Sequence, residues 1–278
     1  GNSTSHTQVI TVEDNDAPTF DNAPANETVD CGSIPVAPTV TATDNCDPTL
    51  TVNFTEVDNV VEGCGTIERT WDVTDNCGNA TSHTQIITVE DNDAPTFDNA
   101  PANETVDCGS IPAAPTVTAS DNCDPTLTVN FTEVDNVVEG CGTIERTWDV
   151  TDNCGNATSH TQIITVEDND APTFDNAPAN ETVDCGAIPI APTVTATDNC
   201  DPTLTVNFTE VDNVVEGCGT IERTWDVTDN CGNSTSHTQV ITVEDNDAPT
   251  FDNAPANETV DCGSIPVAPT VTATDNCD

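Results

Sequence analysis

Thr66-Ile-Glu-Arg-Thr-Trp-Asp-Val-Thr-Asp-Asn-Cys-Gly78 decides how this chain folds. Ile67, Arg69, Trp71 and Val73 alternate with Thr66, Glu68, Thr70, Asp72 and Thr74. That two-residue period gives a β-strand one buried and one wet face. Asp75-Asn-Cys-Gly78 then breaks the strand with turn-forming residues. Downstream, Thr84–Val89 reads as a last strand running into Glu90-Asp-Asn-Asp-Ala-Pro95. Upstream, Leu50, Val52 and Phe54 alternate with Thr51, Asn53 and Thr55, giving a further strand with one buried face. Thr39-Val-Thr-Ala-Thr43 is a β-branched run stopped by Asp44-Asn-Cys-Asp-Pro48, and Val57–Glu62 is an ambiguous segment closed by Gly63-Cys-Gly65. No window carries an apolar period of 3.6. Short strands punctuated by Pro, Gly, Asn and Asp predict an antiparallel β-sandwich.

The whole stretch recurs. His6, His83, His160 and His237 each sit in the same Ser-His-Thr-Gln run, 77 residues apart, and only five positions of the unit vary, all mildly. Such a chain gains reach and multiplicity rather than chemistry, because identical units cannot divide catalytic roles. Proline removes a donor and restricts the residue before it, so Asp-Asn-Asp-Ala-Pro marks the domain boundary. Complete domains are then expected at 18–90, 95–167 and 172–244, with partial domains at 1–13 (a last strand) and 249–278 (first strands). Short linkers predict an extended rod in which each domain adds roughly 35–45 Å. Gly1 occupies the repeat position of Gly78, and Asp278 that of Asp47, so both ends are expected to fall inside a repeat. Residues 1–47 are identical to 232–278, which closes the sequence on itself after 231 residues.

Fifty acidic residues face three arginines and no lysine, a formal net charge of −47. This excludes the basic footprint of a nucleic-acid binder and opposes docking on an anionic membrane. Acidic clusters held together in a folded array instead invite divalent cations. Each full unit carries four cysteines, as at Cys31, Cys46, Cys64 and Cys77. In a unit with so little core, an even cysteine count predicts disulfides and an oxidising, extracytoplasmic location. Zinc is disfavoured, since no Cys-x2-Cys pair occurs. There is no Gly-x-Ser-x-Gly elbow or phosphate-cradling glycine loop, and no specific acid–base pair stands out. The expectation is therefore no enzyme and no catalytic residue.

Asp14-Asn-Asp-Ala-Pro-Thr-Phe20, Ala42-Thr-Asp-Asn45 and Trp71-Asp-Val-Thr-Asp-Asn-Cys-Gly-Asn79 resemble the hyalin-repeat (HYR) family over the whole chain. The four-cysteine pattern is similar to repeats in very large secreted surface proteins of gliding and environmental Bacteroidota. The resemblance implies tandem immunoglobulin-like domains with roles in adhesion or extracellular scaffolding. The Val-Glu-Asp-Asn-Asp-Ala-Pro-Thr-Phe segment is also similar to the cadherin linker, where calcium rigidifies successive domains.

Four cysteines allow three connectivities within a unit. If the sandwich follows immunoglobulin order, the strands at Thr39–Thr43 and Thr66–Thr74 run codirectionally in facing sheets. Cys31 and Cys64 precede them, while Cys46 and Cys77 follow them. The expected bridges are Cys31–Cys64 and Cys46–Cys77, with Cys108–Cys141, Cys123–Cys154, Cys185–Cys218 and Cys200–Cys231 in the copies. Each would close a loop of about 30 residues, worth roughly 3 kcal/mol.

The same topology sets each linker beside the opening loops of the next domain and predicts calcium there. The candidate ligands at the first complete junction are Glu90, Asp91, Asp93, Asp121, Asp124 and Asp152, with Asp58 and Glu62 reaching from the preceding domain. Their copies are Glu13, Asp14, Asp16, Asp44, Asp47 and Asp75, then Glu167, Asp168, Asp170, Asp198, Asp201 and Asp229, then Glu244, Asp245, Asp247 and Asp275. The alternative is that these residues serve only as turn formers. Arg69 beside Trp71 is expected to stack on the indole or pair with an acid, and His83 to lie on a strand surface. Asn-x-Thr sequons offer glycosylation sites at Asn26, Asn53, Asn79, Asn103, Asn130, Asn156, Asn180, Asn207, Asn233 and Asn257. The sequence thus describes a disulfide-stapled, calcium-stiffened stalk or filament segment outside the cell. Its partners are neighbouring copies of the repeat, lateral self-association and a surface ligand. The alternative is a repeated module binding a glycan or protein.

Overall fold

The computed structural model describes residues 1–277. In the first complete repeat, the strands are β1 (Thr19–Phe20), β2 (Glu27–Asp30), β3 (Ala42–Thr43), β4 (Val52–Asp58), β5 (Gly65–Thr74) and β6 (Ala80–Glu90). Helical structure among the described residues of this repeat is one 3-10 turn, Cys31–Ser33, capped by Asp30, whose Oδ1 accepts from the Gly32 N–H at 3.1 Å. Among the described residues, no helix is long and apolar enough to cross a membrane.

β1 and β3 form a two-stranded antiparallel sheet. The second sheet runs β2-β6-β5-β4. β2 lies parallel to β6, with Val29 opposite Val89, and the other pairs are antiparallel, with Trp71 between Phe54 and His83. The third repeat copies this register, with Val183 opposite Val243 and Trp225 between Phe208 and His237. The strands of the middle repeat are Thr96–Phe97, Glu104–Asp107, Ala119–Ser120, Val129–Asp135, Gly142–Thr151 and Ala157–Glu167. The chain divides into two compact units, one of residues 1–102, 114–133 and 146–162, the other of 103–113, 134–145 and 163 onward. The division passes through the middle repeat, so each seam between successive repeats lies inside one unit. The protein is all-β, with three complete tandem domains.

β5 behaves as its alternation requires. Ile67, Trp71 and Val73 are buried together with Ile87 and Val89 of β6, each burial contributing about 1.5–3 kcal/mol. Val29, Cys31 and Val60 close over Ile67, Ile87 and Val89. Arg69 is buried in the same row, and its Nε donates to Glu56 Oε2 while Nη2 donates to Pro35 O, both at 2.7 Å. The guanidinium has settled on an acid and a carbonyl.

Two expectations fail here. β4 does not bury the full face of Leu50, Val52 and Phe54: Phe54 remains 45% exposed, and Leu50 and Val52 are only half-buried. β4 is the sheet's edge, and Phe54 leans on Trp71, with ring centroids 5.3 Å apart. His83 is half-buried rather than a surface residue. Its Nε2 donates to Pro24 O at 2.7 Å, and its ring sits 6.2 Å from Trp71 and 6.3 Å from Phe20.

Candidate metal centre and covalent seam

Two turns form the tail of a repeat. One is the Cys31 turn after β2; the other is Val61–Cys64, closed by reciprocal backbone bonds of 2.9 and 3.1 Å. Glu62 and Gly63 take positive φ angles of 44° and 88° to make it. The head of the next repeat brings up its two Asp-Asn-Cys loops, each folded by its own aspartate. Asp121 Oδ1 accepts from the Cys123 and Asp124 N–H groups at 2.8 and 3.1 Å. Asp124 ties the two loops together, accepting from Thr126 N–H at 3.0 Å and Asn153 N–H at 3.1 Å. Asp152 accepts from both the backbone and the side-chain amide of Asn156, each at 2.8 Å.

The bridges cross from tail to head. Cys31 bonds Cys123 and Cys64 bonds Cys154, with Cα–Cα distances of 6.1 and 5.6 Å, both within bridging range. The second seam repeats this with Cys108–Cys200 and Cys141–Cys231, and Cys185 bonds Cys277. The pairings expected within repeats, Cys31–Cys64, Cys46–Cys77, Cys108–Cys141, Cys123–Cys154, Cys185–Cys218 and Cys200–Cys231, are therefore corrected. Cys31 and Cys64 do share one end of the repeat, but both point outward at the following head rather than at each other. Cys46, Cys77, Cys218 and Cys262 are free and exposed. Their counterparts by the 92- and 90-residue spacing of the other bridges would lie outside residues 1–278.

Polar contacts reinforce the seam. The Asn153 side chain donates to Val61 O at 3.0 Å, Asn156 to Asp91 O at 3.0 Å and Asn122 to Asp93 Oδ2 at 3.3 Å. Thr126 Oγ1 donates to Glu62. A Cβ on Gly63 would stand 2.6 Å from Cys123 Cβ, so this turn approaches the bridge because it has no side chain there.

One group in the seam lacks its partner. Asp91 is 5% exposed; its Oδ1 accepts from the Asp93 N–H at 3.0 Å, but its Oδ2 has no donor. Burial pushes its carboxyl above the usual carboxylate value, the Asp93 N–H pulls it back, and the charges of Asp121 and Asp152 push it up further. Asp168 repeats this beside Asp198 and Asp229, and there Asp198 Oδ2 is buried without a donor too. Ligand atoms of Asp91, Asp121 and Cys123 lie within 4.8 Å of one another. Cys123 is committed to its bridge, so the available donors are carboxylate oxygens.

A family model of the HYR-like domain with 4 cysteines matches residues 19–89, 96–166 and 173–243. The chain belongs to this family. No curated protein matches it. Among solved structures, it is similar to Drosophila N-cadherin EC1-3, at 15% identity over 80% of this chain and 98% of that one, with a TM-score of 0.33. Mouse cadherin-23 EC22-24 is similar at 15% identity over 82% and 99% of the two chains, with a TM-score of 0.35.

In these HYR-like repeats, the expected ligands separate by use. Asp91 with Asp121 and Asp168 with Asp198 converge at the seams. Asp124, Asp152, Asp201 and Asp229 spend carboxylate oxygens on loop amides, as turn chemistry requires. At the first head, Asp44, Asp47 and Asp75 fold the same loops, and Asp16 accepts from Asn45. Burial raises the Asp75 carboxyl, but hydrogen bonds from Asn79, Gly78 and Cys77 outweigh it and hold the group low. Burial, then Asp14 and Asp44, push up the Cys46 thiol. Glu13, Glu90, Glu167 and Glu244 are exposed, while Asp58 caps Val60 N–H at 2.9 Å.

The sequons separate similarly. Asn26, Asn103 and Asn180 accept from backbone amides at 2.8 Å. Asn79, Asn156 and Asn233 are tied into the head loops. Asn53, Asn130 and Asn207 stand exposed on the edge strands. Sequence reasoning missed the bridging roles of Asn122, Asn153, Asn156 and Gly63. Their one signal was a fixed position beside the cysteines in every copy.

Proposed function

We propose that this chain is a structural segment of an extracellular adhesin stalk or filament, its repeats joined end to end by disulfides and stiffened at each seam by calcium. The carrying observation is the buried linker aspartate with a donorless oxygen, Asp91 or Asp168, set against a second carboxylate at both doubly bridged seams. A buried carboxylate without a donor is costly unless a proton or cation compensates it. The available donors are hard oxygens, which suit calcium with its 6–8 flexible oxygen ligands. Asp91 and Asp121 would hold the ion in the first seam, beside Asp93 and Asp152; Asp168 and Asp198 would hold it in the second. The ion would neutralise carboxylates that otherwise repel across the joint. Ten bridged cysteines agree with an oxidising, extracytoplasmic setting. The reading assigns no catalytic role, and the acidic surface suits neither nucleic acid nor an anionic membrane.

The test is small-angle scattering and calorimetry on the whole chain in calcium and in chelator. Chelator is expected to lower the melting temperature and broaden the distribution of shapes. Asp91→Asn combined with Asp168→Asn is expected to remove that difference. Identical scattering and melting in the two buffers would sink the calcium reading.

A further inference from the structure

The bridges do more than close seams: they connect to one another. Cys123, bonded to Cys31, lies 15 positions after Cys108, which is bonded to Cys200. Cys200 lies 15 positions after Cys185, which is bonded to Cys277. A second series runs from Cys64 to Cys154, back 13 positions to Cys141, then to Cys231 and back 13 positions to Cys218. Two covalent paths therefore pass through the repeats beside the main chain, and each uses only a short segment per repeat.

We propose that these paths make the array an inextensible load-bearing tether, which cannot lengthen by unfolding its domains. Connectivity alone sets the limit. Between Cys31 and Cys277 the main chain spans 246 positions, about 860 Å when fully extended. The bridged path spans 30 positions and three disulfides with Cα–Cα distances of 6.1, 6.1 and 5.8 Å. Its limit is about 120 Å, taking roughly 3.5 Å per residue. The 13-position segments of the second path, with one bridge, cap each repeat at about 50 Å. That is close to the roughly 35–45 Å expected for a folded repeat. Tension is then carried by short covalent segments, one of which, Cys141–Cys154, contains the strand Gly142–Thr151 itself.

Bridges inside each repeat would behave differently. A Cys31–Cys64 type of bridge hides 33 of the 77 positions and leaves 44 to pay out, a gain of about 120 Å per repeat. Without bridges, each repeat gains about 230 Å. The three patterns are thus separable by length alone.

The biological setting rests on the stalk reading, whereas the mechanics rest on the bridges and not on calcium. The experiment is optical-tweezers extension of the whole oxidised 278-residue chain, held by its two ends, in calcium and in chelator. Total extension is expected to stop near 220 Å in both buffers, about 120 Å from the bridged path and the rest from residues 1–30. Reducing the tethered molecule in place with a phosphine is expected to release it to about 970 Å. Mapping of the same sample without reduction should recover Cys31–Cys123 and Cys64–Cys154 peptides. Steps of about 120 Å or 230 Å per repeat in the oxidised chain, or no lengthening on reduction, would overturn the proposal. A limit that holds in calcium and chelator alike, with unchanged scattering, would sink the calcium reading while leaving the tether intact.

Discussion

Asp91 and Gly63 show how single residues set the seam. Asp91 has its carboxyl raised by burial and by Asp121 and Asp152, so the metal-free folded state binds a proton more readily than the unfolded one. The cost of the charged form is present above that raised value and is relieved as pH falls through it. In chelator, the melting temperature is therefore expected to rise as pH is lowered from neutral toward the ordinary aspartate range. Asp75, held low by its hydrogen bonds, contributes stability that disappears only at still lower pH. Asp91→Asn with Asp168→Asn should flatten the initial rise, and a melting profile against pH checks it. Gly63 meets Cys123 at 2.6 Å from its virtual Cβ, whereas Gly78, also at positive φ, has nothing within 4 Å. Gly63→Ala should cost about 1–3 kcal/mol by overpacking and speed reduction of the seam bridges. Gly78→Ala should cost about 1–2 kcal/mol through backbone strain alone and leave the reduction rate unchanged, as timed thiol labelling would show.

Among elements, β5 and β4 differ in how far their sequences could be read. The period of two in β5 left no other face for Ile67, Trp71 and Val73, and all three are buried. β4 carries a similar alternation, yet Phe54 is half exposed because β4 ends the sheet. An apolar period identifies a face; it does not say whether anything covers it. Ile87→Ala, at a fully buried site in β6, should destabilise by about 2–5 kcal/mol. Phe54→Ala should cost less than about 2 kcal/mol, given its exposure. Denaturant midpoints of the two variants test the contrast. The Asp-Asn-Cys loops were legible as turns, and their aspartates do fold them. Which aspartate would be left over was not legible, because it depends on which amides the loops supply.

At the scale of the whole molecule, the covalent pattern can be counted. Four cysteines are free, so thiol titration of the folded 278-residue chain should find four. Pairing within repeats would bridge twelve of the fourteen cysteines and leave two. Each bridge between repeats closes a loop of 90 or 92 residues, worth roughly 4–5 kcal/mol by chain entropy. The second bridge of a seam adds less, since the first has already drawn the two repeats together. The sequence by itself determined the repeat, the all-β strands, the acidic character and the grouping of cysteines at the ends of each domain, because periodicity and composition act locally. Only the tertiary structure decided the partners. Identical repeats offer every Cys31-type residue several equivalent cysteines in sequence, and proximity across the seam is what selects the one in the next repeat.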